Sequence, residues 1–277
     1  MLSRLRSITR HLSTYNMSTT VHNTNIACCS IPPVQSDYSP KGSFKPHAGF
    51  SKVYVTGPEN SDTKIVCVYD IFGFFPQTQQ GADIIASALK ATVYMPDFFE
   101  PDGPYPIEKF PPKNDQDKRD LQAFFAGTAS PPLAIKKLVD FGKALRTSGA
   151  KKVAAYGFCW GGKVTLSSGT LSTPFDAVAI VHPAMLSVAD AEKLTVPLGI
   201  YISQDEPVDE YEKILEVINK KPFASKNDSK HYTNMFHGWA AARGDLKNAE
   251  NKKEFEDVYS KLVDFFCNTC GVRDGTR

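Results

Sequence analysis

Five runs of mostly apolar residues, many β-branched or aromatic, recur along the chain without a regular polar face: KIVCVYD (64–70), ATVYMPD (91–97), KKVAAYG (151–157), AVAIVHP (177–183) and VPLGIYIS (196–203). A strand with no polar side must be covered on both faces, which is the condition of a parallel sheet lying between helices. Between the runs stand segments of helical period, at about Gln80–Lys90, Leu133–Thr147, after Cys159, Val208–Lys220 and Ala249–Phe266. Two further strands are expected at KVYVTG (52–57) and KHYTNMF (230–236). The alternation predicts one α/β domain, mostly parallel, with no internal repeat. A length of 277 residues, 42% hydrophobic and 22% charged, suits one substantial core.

Charge points at no partner. With 32 basic and 30 acidic residues the net charge is +2, too small a field to argue for nucleic acid or an anionic membrane. No apolar stretch approaches the length needed to span a bilayer. The six cysteines, Cys28, Cys29, Cys67, Cys159, Cys267 and Cys270, show neither a metal-ligand spacing nor the density of a disulfide scaffold. Cys267 and Cys270 form C-x-x-C, but inside the helix-period stretch EFEDVYSKLVDFFCNTC, so they read as helix-end residues rather than a redox pair.

The first sixteen residues, MLSRLRSITRHLSTYN, interleave Arg4, Arg6 and Arg10 with Leu2, Leu5, Ile8 and Leu12, and the first acidic residue is Asp37. That composition predicts a mitochondrial targeting segment at 1–16. Met17 offers a second start, so the expected compartment is mitochondrial from Met1 and cytoplasmic from Met17. Residues 17–49, rich in Pro, Ser and Gly, read as an irregular lead-in containing His22 and His47; the folded domain is expected at 50–268, and 269–277 as a tail.

Chemistry enters at YGFCWGGK (156–163). Cys159 lies between a buried strand and the start of a helix, where sites on parallel sheets gather. Gly157 and Gly161 make G-x-C-x-G, the nucleophile-elbow pattern: the turn is sharp, and the chain passes too close to itself for larger flanking residues. The amides and dipole at the helix start favour a thiolate there and can hold an oxyanion. Cys67, inside KIVCVYD, reads instead as an inert core residue.

An elbow enzyme needs an acid and then a histidine later in the chain. Asp205 follows the strand LGIYIS in SQDEPVD and leads over Glu206 and Asp209 as the first carboxylate past the strand. His237 follows in FHGWAAARGD. His182, at the end of AVAIVHP, is the rival base, but it precedes the acid and reads as a pocket-wall residue; His231 begins a strand at the opposite sheet edge.

GFCWGG, QDEPVD and FHGW, with VYDIFGF after the second strand and MPDFFEPDG after the third, resemble the dienelactone hydrolase family, a cysteine-nucleophile branch of the α/β-hydrolase fold, from about Phe50 to Phe266. The lead-in ACCSIPPVQSDYSPKG is similar to that of fungal members. The resemblance implies a triad of Cys159, Asp205 and His237, and an oxyanion hole from the backbone N–H groups of Trp160 and Ile71. It implies a carboxylate, here Asp70, that holds the resting cysteine as a thiol. Asp70 is one methylene shorter than the family's residue. The family's substrate-binding arginine falls on Arg243, at a somewhat larger offset from the histidine.

The expected reaction is attack of the Cys159 thiolate on an ester or lactone carbonyl, with no metal or organic cofactor. A thioester returns easily to starting material unless the leaving group is activated, which favours enol lactones. Phe72, Phe74, Phe98, Trp160 and Trp239 suit a small planar or apolar substrate, with His182 in the pocket wall. The expected partner is that small molecule alone, on a monomer or weak dimer. The alternative is a non-catalytic thiol sensor or small-molecule binder on the same fold, in which Cys159 is oxidised.

Overall fold

The computed structural model describes residues 32–271. Eight strands form one sheet: β1 (Ser43–His47), β2 (Phe50–Thr56), β3 (Thr63–Val68), β4 (Thr92–Pro96), β5 (Lys152–Phe158), β6 (Ala177–Val181), β7 (Leu198–Ser203) and β8 (Asp228–Tyr232). Their order is β1-β2-β4-β3-β5-β6-β7-β8. All neighbours from β4 to β8 are parallel, whereas β2 runs antiparallel to both β1 and β4. Every residue of β3, β4, β6 and β7 is buried, as the unbroken apolar runs require.

Among the described residues there are seven α-helices: α1 (Pro76–Leu89), α2 (Asp115–Ala126), α3 (Pro131–Thr147), α4 (Trp160–Ser168), α5 (Val188–Glu192), α6 (Val208–Ile218) and α7 (Ala249–Cys270). Strand periodicity sorts their faces. In β5, Tyr156 and Phe158 turn toward α7, where they meet Phe266 and Tyr259, while Gly157 between them turns toward α4. Each large apolar side chain fully buried this way contributes about 1.5–3 kcal/mol.

Several elements depart from expectation. The sheet begins inside the supposed lead-in: β1 pairs Ser43 with Val55 and Phe44 with Tyr54, and the His47 ring stacks on Tyr94 at 4.8 Å. Pro46 is tolerated because β1 is an edge strand. Upstream residues are also fixed, since the Tyr38 hydroxyl donates to Asp83 Oδ2 (2.8 Å) and Val34 N–H to the Ala242 carbonyl (2.8 Å). Helix α1 starts at Pro76, a residue suited to a first helical turn. Helix α2 was not anticipated, because only Leu121 and Phe125 of its twelve residues are buried and the apolar period is too sparse to see. Strand β8 starts two residues and ends four residues earlier than KHYTNMF suggests.

At the other end, α7 runs through Cys267 to Cys270 and stops at Gly271, whose φ of 67° is left-handed, so the helix enters the expected tail. Cys267 is half-buried and Cys270 is buried. The expected targeting segment at 1–16, His11, His22, Cys28, Cys29 and residues 272–277 lie outside the described residues. Among the described residues no helix is long and apolar enough to cross a membrane, and no three His, Cys, Asp or Glu side chains are grouped to hold a metal ion.

Candidate active site

Cys159 occupies the junction of β5 and α4 with φ 53° and ψ −118°, a strained conformation for any residue with a side chain. The surroundings enforce it. A Cβ on Gly157 would lie 2.1 Å from the Gly161 carbonyl oxygen, and one on Gly161 would lie 2.2 Å from that of Val68. The nucleophile's backbone is also held from β6: its N–H donates to the Val181 carbonyl (3.2 Å) and its carbonyl accepts from Ala184 N–H (2.9 Å). Trp160 opens α4, so its N–H belongs to the first-turn amides that have no partner within a helix. The elbow expected from G-x-C-x-G is present.

His237 lies on the loop after β8. Its ring Nδ1 is 2.6 Å from Glu206 Oε1, with both side chains fully buried. Asp205, expected there, does something else: its Oδ2 accepts the backbone N–H of His237 at 2.8 Å. The reason is the turn after β7. Ser203 closes the strand and donates its N–H to Glu206 Oε2 (2.5 Å), folding the longer side chain back over the sheet edge, while Asp205 stays half-buried with its N–H on Ser203 Oγ (3.2 Å). The first carboxylate after β7 is not the one that reaches the ring. A carboxylate only accepts, so Nδ1 carries the proton and Nε2 is left as the basic nitrogen.

His182 also enters the site. It has φ 36°, is fully buried, and its ring lies edge-on to both His237 (5.2 Å) and Trp239 (5.1 Å). His231, in contrast, sits in β8 against Tyr211.

Asp70 and Ile71 follow β3 directly and are buried. Asp70 Oδ1 accepts from Phe72 N–H (2.9 Å) and Oδ2 from Ala242 N–H (3.3 Å), which ties the β3 turn to the histidine loop. Arg243 is not a solvated surface residue. It is fully buried, its guanidinium lying 5.0 Å from the centre of the Phe72 ring and 5.3 Å from that of Phe110. The histidine loop is fastened from below: Tyr259 donates to the Ala240 carbonyl (3.1 Å), Asn251 to that of Trp239 (3.0 Å), and Gln77 to that of Gly244 (3.0 Å).

Sequence reasoning ranks Glu206 behind Asp205 as the ring partner and gives no role to residues 104–129. GPYPIEKFPPKND reads as an irregular loop, and nothing in its composition signals that Phe110 faces Arg243. The inert reading of Cys67 agrees with its place in β3, where burial pushes the thiol up to about 12.

Residues 51–270 match the dienelactone hydrolase family. The chain is 35% identical over 231 residues to an uncharacterized AIM2 family protein of Schizosaccharomyces pombe, covering 83% of this chain and 92% of that one. It is 26% identical over 219 residues to a protein of Xenopus tropicalis named as a carboxymethylenebutenolidase homolog, covering 77% and 85%. The crystal structure of a dienelactone hydrolase from Anabaena variabilis superposes with a TM-score of 0.57 at 11% identity, over 86% of this chain and 100% of that one, a likeness of fold.

Proposed function

The chain belongs to the dienelactone hydrolase family and is an ester hydrolase on the α/β-hydrolase fold; from that premise we propose that it cleaves small carboxylic esters or enol lactones through Cys159, His237 and Glu206, by way of an acyl thioester on Cys159. The observation that carries this reading is the buried Glu206–His237 pair, linked through the His182 ring to Phe158, the residue before a cysteine at a strained elbow. A thiol sensor has no use for an oriented imidazole.

In the proposed reaction, His237 Nε2 takes the Cys159 thiol proton and the sulfur attacks the carbonyl carbon. The oxyanion rests on the N–H groups of Trp160 and Ile71. Collapse expels the alcohol or enol, which takes the proton from His237. Water then attacks the thioester, His237 accepts its proton, and the tetrahedral species releases the acid and returns the proton to sulfur. Glu206 keeps Nδ1 protonated and stabilises the transient imidazolium.

The family's thiol-holding role is proposed for Asp70, which belongs to the same buried cluster. Recognition of an anionic acyl group is proposed for Arg243, with His182 and Trp239 as pocket wall. The carboxymethylenebutenolidase name of the Xenopus tropicalis relative agrees with a small carboxylated lactone as substrate.

The test uses p-nitrophenyl acetate and intact-protein mass spectrometry. His237→Ala should release one burst of nitrophenol and retain an acetyl group on the Cys159 peptide, whereas Cys159→Ala should give neither burst nor adduct. Sustained turnover by Cys159→Ala would reject the proposed chemistry.

A further inference from the structure

Among the described residues, Cys159, His237, His182 and Arg243 are each fully buried, so the nucleophile itself meets no solvent in this state. Something must move, and the surrounding elements differ in how firmly they are held. Beneath lie the ends of β3, β5 and β6. To one side the histidine loop is bolted to α1 and α7 by the buried Gln77, Tyr259 and Asn251 bonds described above. Above lies the segment 103–129, in which only Tyr105, Phe110, Leu121, Phe125 and Ala129 are buried. Few buried contacts and an exposed backbone mark the part of a protein that opens at least cost.

This segment is built as one body. The Tyr105 ring packs on Phe110 (6.4 Å) and on Phe124 of α2 (5.5 Å), and Lys109 pairs with Asp120 of α2 (3.5 Å). Its two ends are closed by Thr128 Oγ1 donating to Asp102 Oδ2 (2.9 Å). Gly103, with φ 90° and nothing within 4 Å of where a Cβ would stand, and Gly127, with φ −107° and ψ −102°, supply the hinges. The segment meets both proposed oxyanion residues: Tyr105 N–H donates to the Ile71 carbonyl (2.9 Å), and the Trp160 indole N–H donates to the Ala129 carbonyl (2.8 Å), just beyond the Gly127 hinge. Between the hinges, the Phe110 ring lies 5.3 Å from the Arg243 guanidinium and edge-on to Phe72 at 5.1 Å.

We propose that residues 103–127 form a cap over the nucleophile and that Phe110 is its clasp, the residue that decides which substrates reach Cys159. In the closed state the Phe110 ring covers one face of Arg243 and completes the wall with Phe72. Opening about Gly103 and Gly127 releases the Tyr105–Ile71 bond and lifts Phe110 away, while the Trp160–Ala129 bond stays. Only acyl groups small enough to lie beside Arg243 beneath Phe110 allow the cap to close again over the reacting ester. The gating of Cys159 stands on geometry alone; its bearing on substrate choice rests on the hydrolase reading above.

The test is iodoacetamide labelling of the full chain, read by peptide mass spectrometry at Cys159 and Cys67. Phe110→Ala should raise the Cys159 rate at least about tenfold, as release of a mostly closed equilibrium requires, with Phe110→Leu between it and the parent. Cys67, deep in β3, should stay unlabelled in all three and so reports an intact core. With p-nitrophenyl esters, Phe110→Ala should raise kcat/KM for hexanoate relative to acetate. Hydrogen exchange on the unaltered chain gives an independent reading: the Tyr105 amide should exchange together with those of α2 and well ahead of those of β3. An unchanged Cys159 labelling rate, or a Tyr105 amide that exchanges only with β3, overturns the cap. If labelling rises as expected while Cys159→Ala still turns over ester, the cap stands and the hydrolase chemistry falls.

Discussion

Glu206 Oε1 stands 2.6 Å from His237 Nδ1, while the adjacent Asp205 holds the same residue by its backbone N–H at 2.8 Å. Two neighbouring carboxylates thus fix one histidine, one through its ring and one through its peptide. The ring contact sets the tautomer and the peptide contact sets the position of the loop.

The division of labour predicts an order of effects. Glu206→Gln should lower kcat by roughly 10²-fold or more, because a base without an oriented, charge-stabilised imidazole loses most of its contribution. Asp205→Asn retains an oxygen to accept the His237 N–H and should cost less than about tenfold. Steady-state kinetics on an activated ester decide it. The reverse ranking would return Asp205 to the role of acid.

His237→Ala and His182→Ala should separate in kind. Loss of the general base should cut turnover by about 10²–10⁴-fold and leave acyl-enzyme to accumulate. His182 touches His237 and Trp239 edge-on and is proposed as pocket wall, so its removal should act mainly on KM. A dead His182→Ala beside an active His237→Ala would break the proposed constellation.

Asp70→Asn tests the thiol-holding carboxylate. A negative charge near sulfur disfavours the thiolate, so its removal should lower the thiol pKa and move the Cys159 alkylation curve to lower pH. The shape of the side chain is kept, including an oxygen for the Phe72 or Ala242 N–H. Releasing the Phe110 clasp should instead raise the rate at every pH without moving the midpoint. An unmoved curve in Asp70→Asn would mean that the carboxylate does not act on the sulfur.

Gly157→Ala should destabilise the fold as well as the site. The added Cβ would meet the Gly161 carbonyl oxygen at 2.1 Å and Thr165 Oγ1 at 2.5 Å, both in α4. Overpacking of this kind costs about 1–3 kcal/mol, a fall of several degrees in Tm. Thermal unfolding followed by circular dichroism measures it, and an unchanged Tm would show that the elbow relaxes freely.

How much of this was legible in sequence depends on the range of the interactions. The parallel sheet was, because a strand covered on both faces writes its burial into every residue, as β3, β6 and β7 do. So was the elbow, since the clashes that demand Gly157 and Gly161 arise where β5, α4 and the end of β3 converge in a recurrent local geometry. Strand β1 and helix α2 were not, because an edge strand and a mostly exposed helix carry too few apolar residues to show a period. The acid was legible only as a choice among Asp205, Glu206 and Asp209. Chain order brings a carboxylate to the end of β7, but which one reaches the imidazole depends on side-chain length and on a turn closed by the Ser203–Glu206 bond. The pairing of Phe110 with Arg243 joins residues 133 positions apart through two irregular segments. No local pattern encodes such a contact; it exists because the tertiary fold lays one loop across another above the sheet edge, where burial forces a guanidinium and two aromatic rings to share the same space.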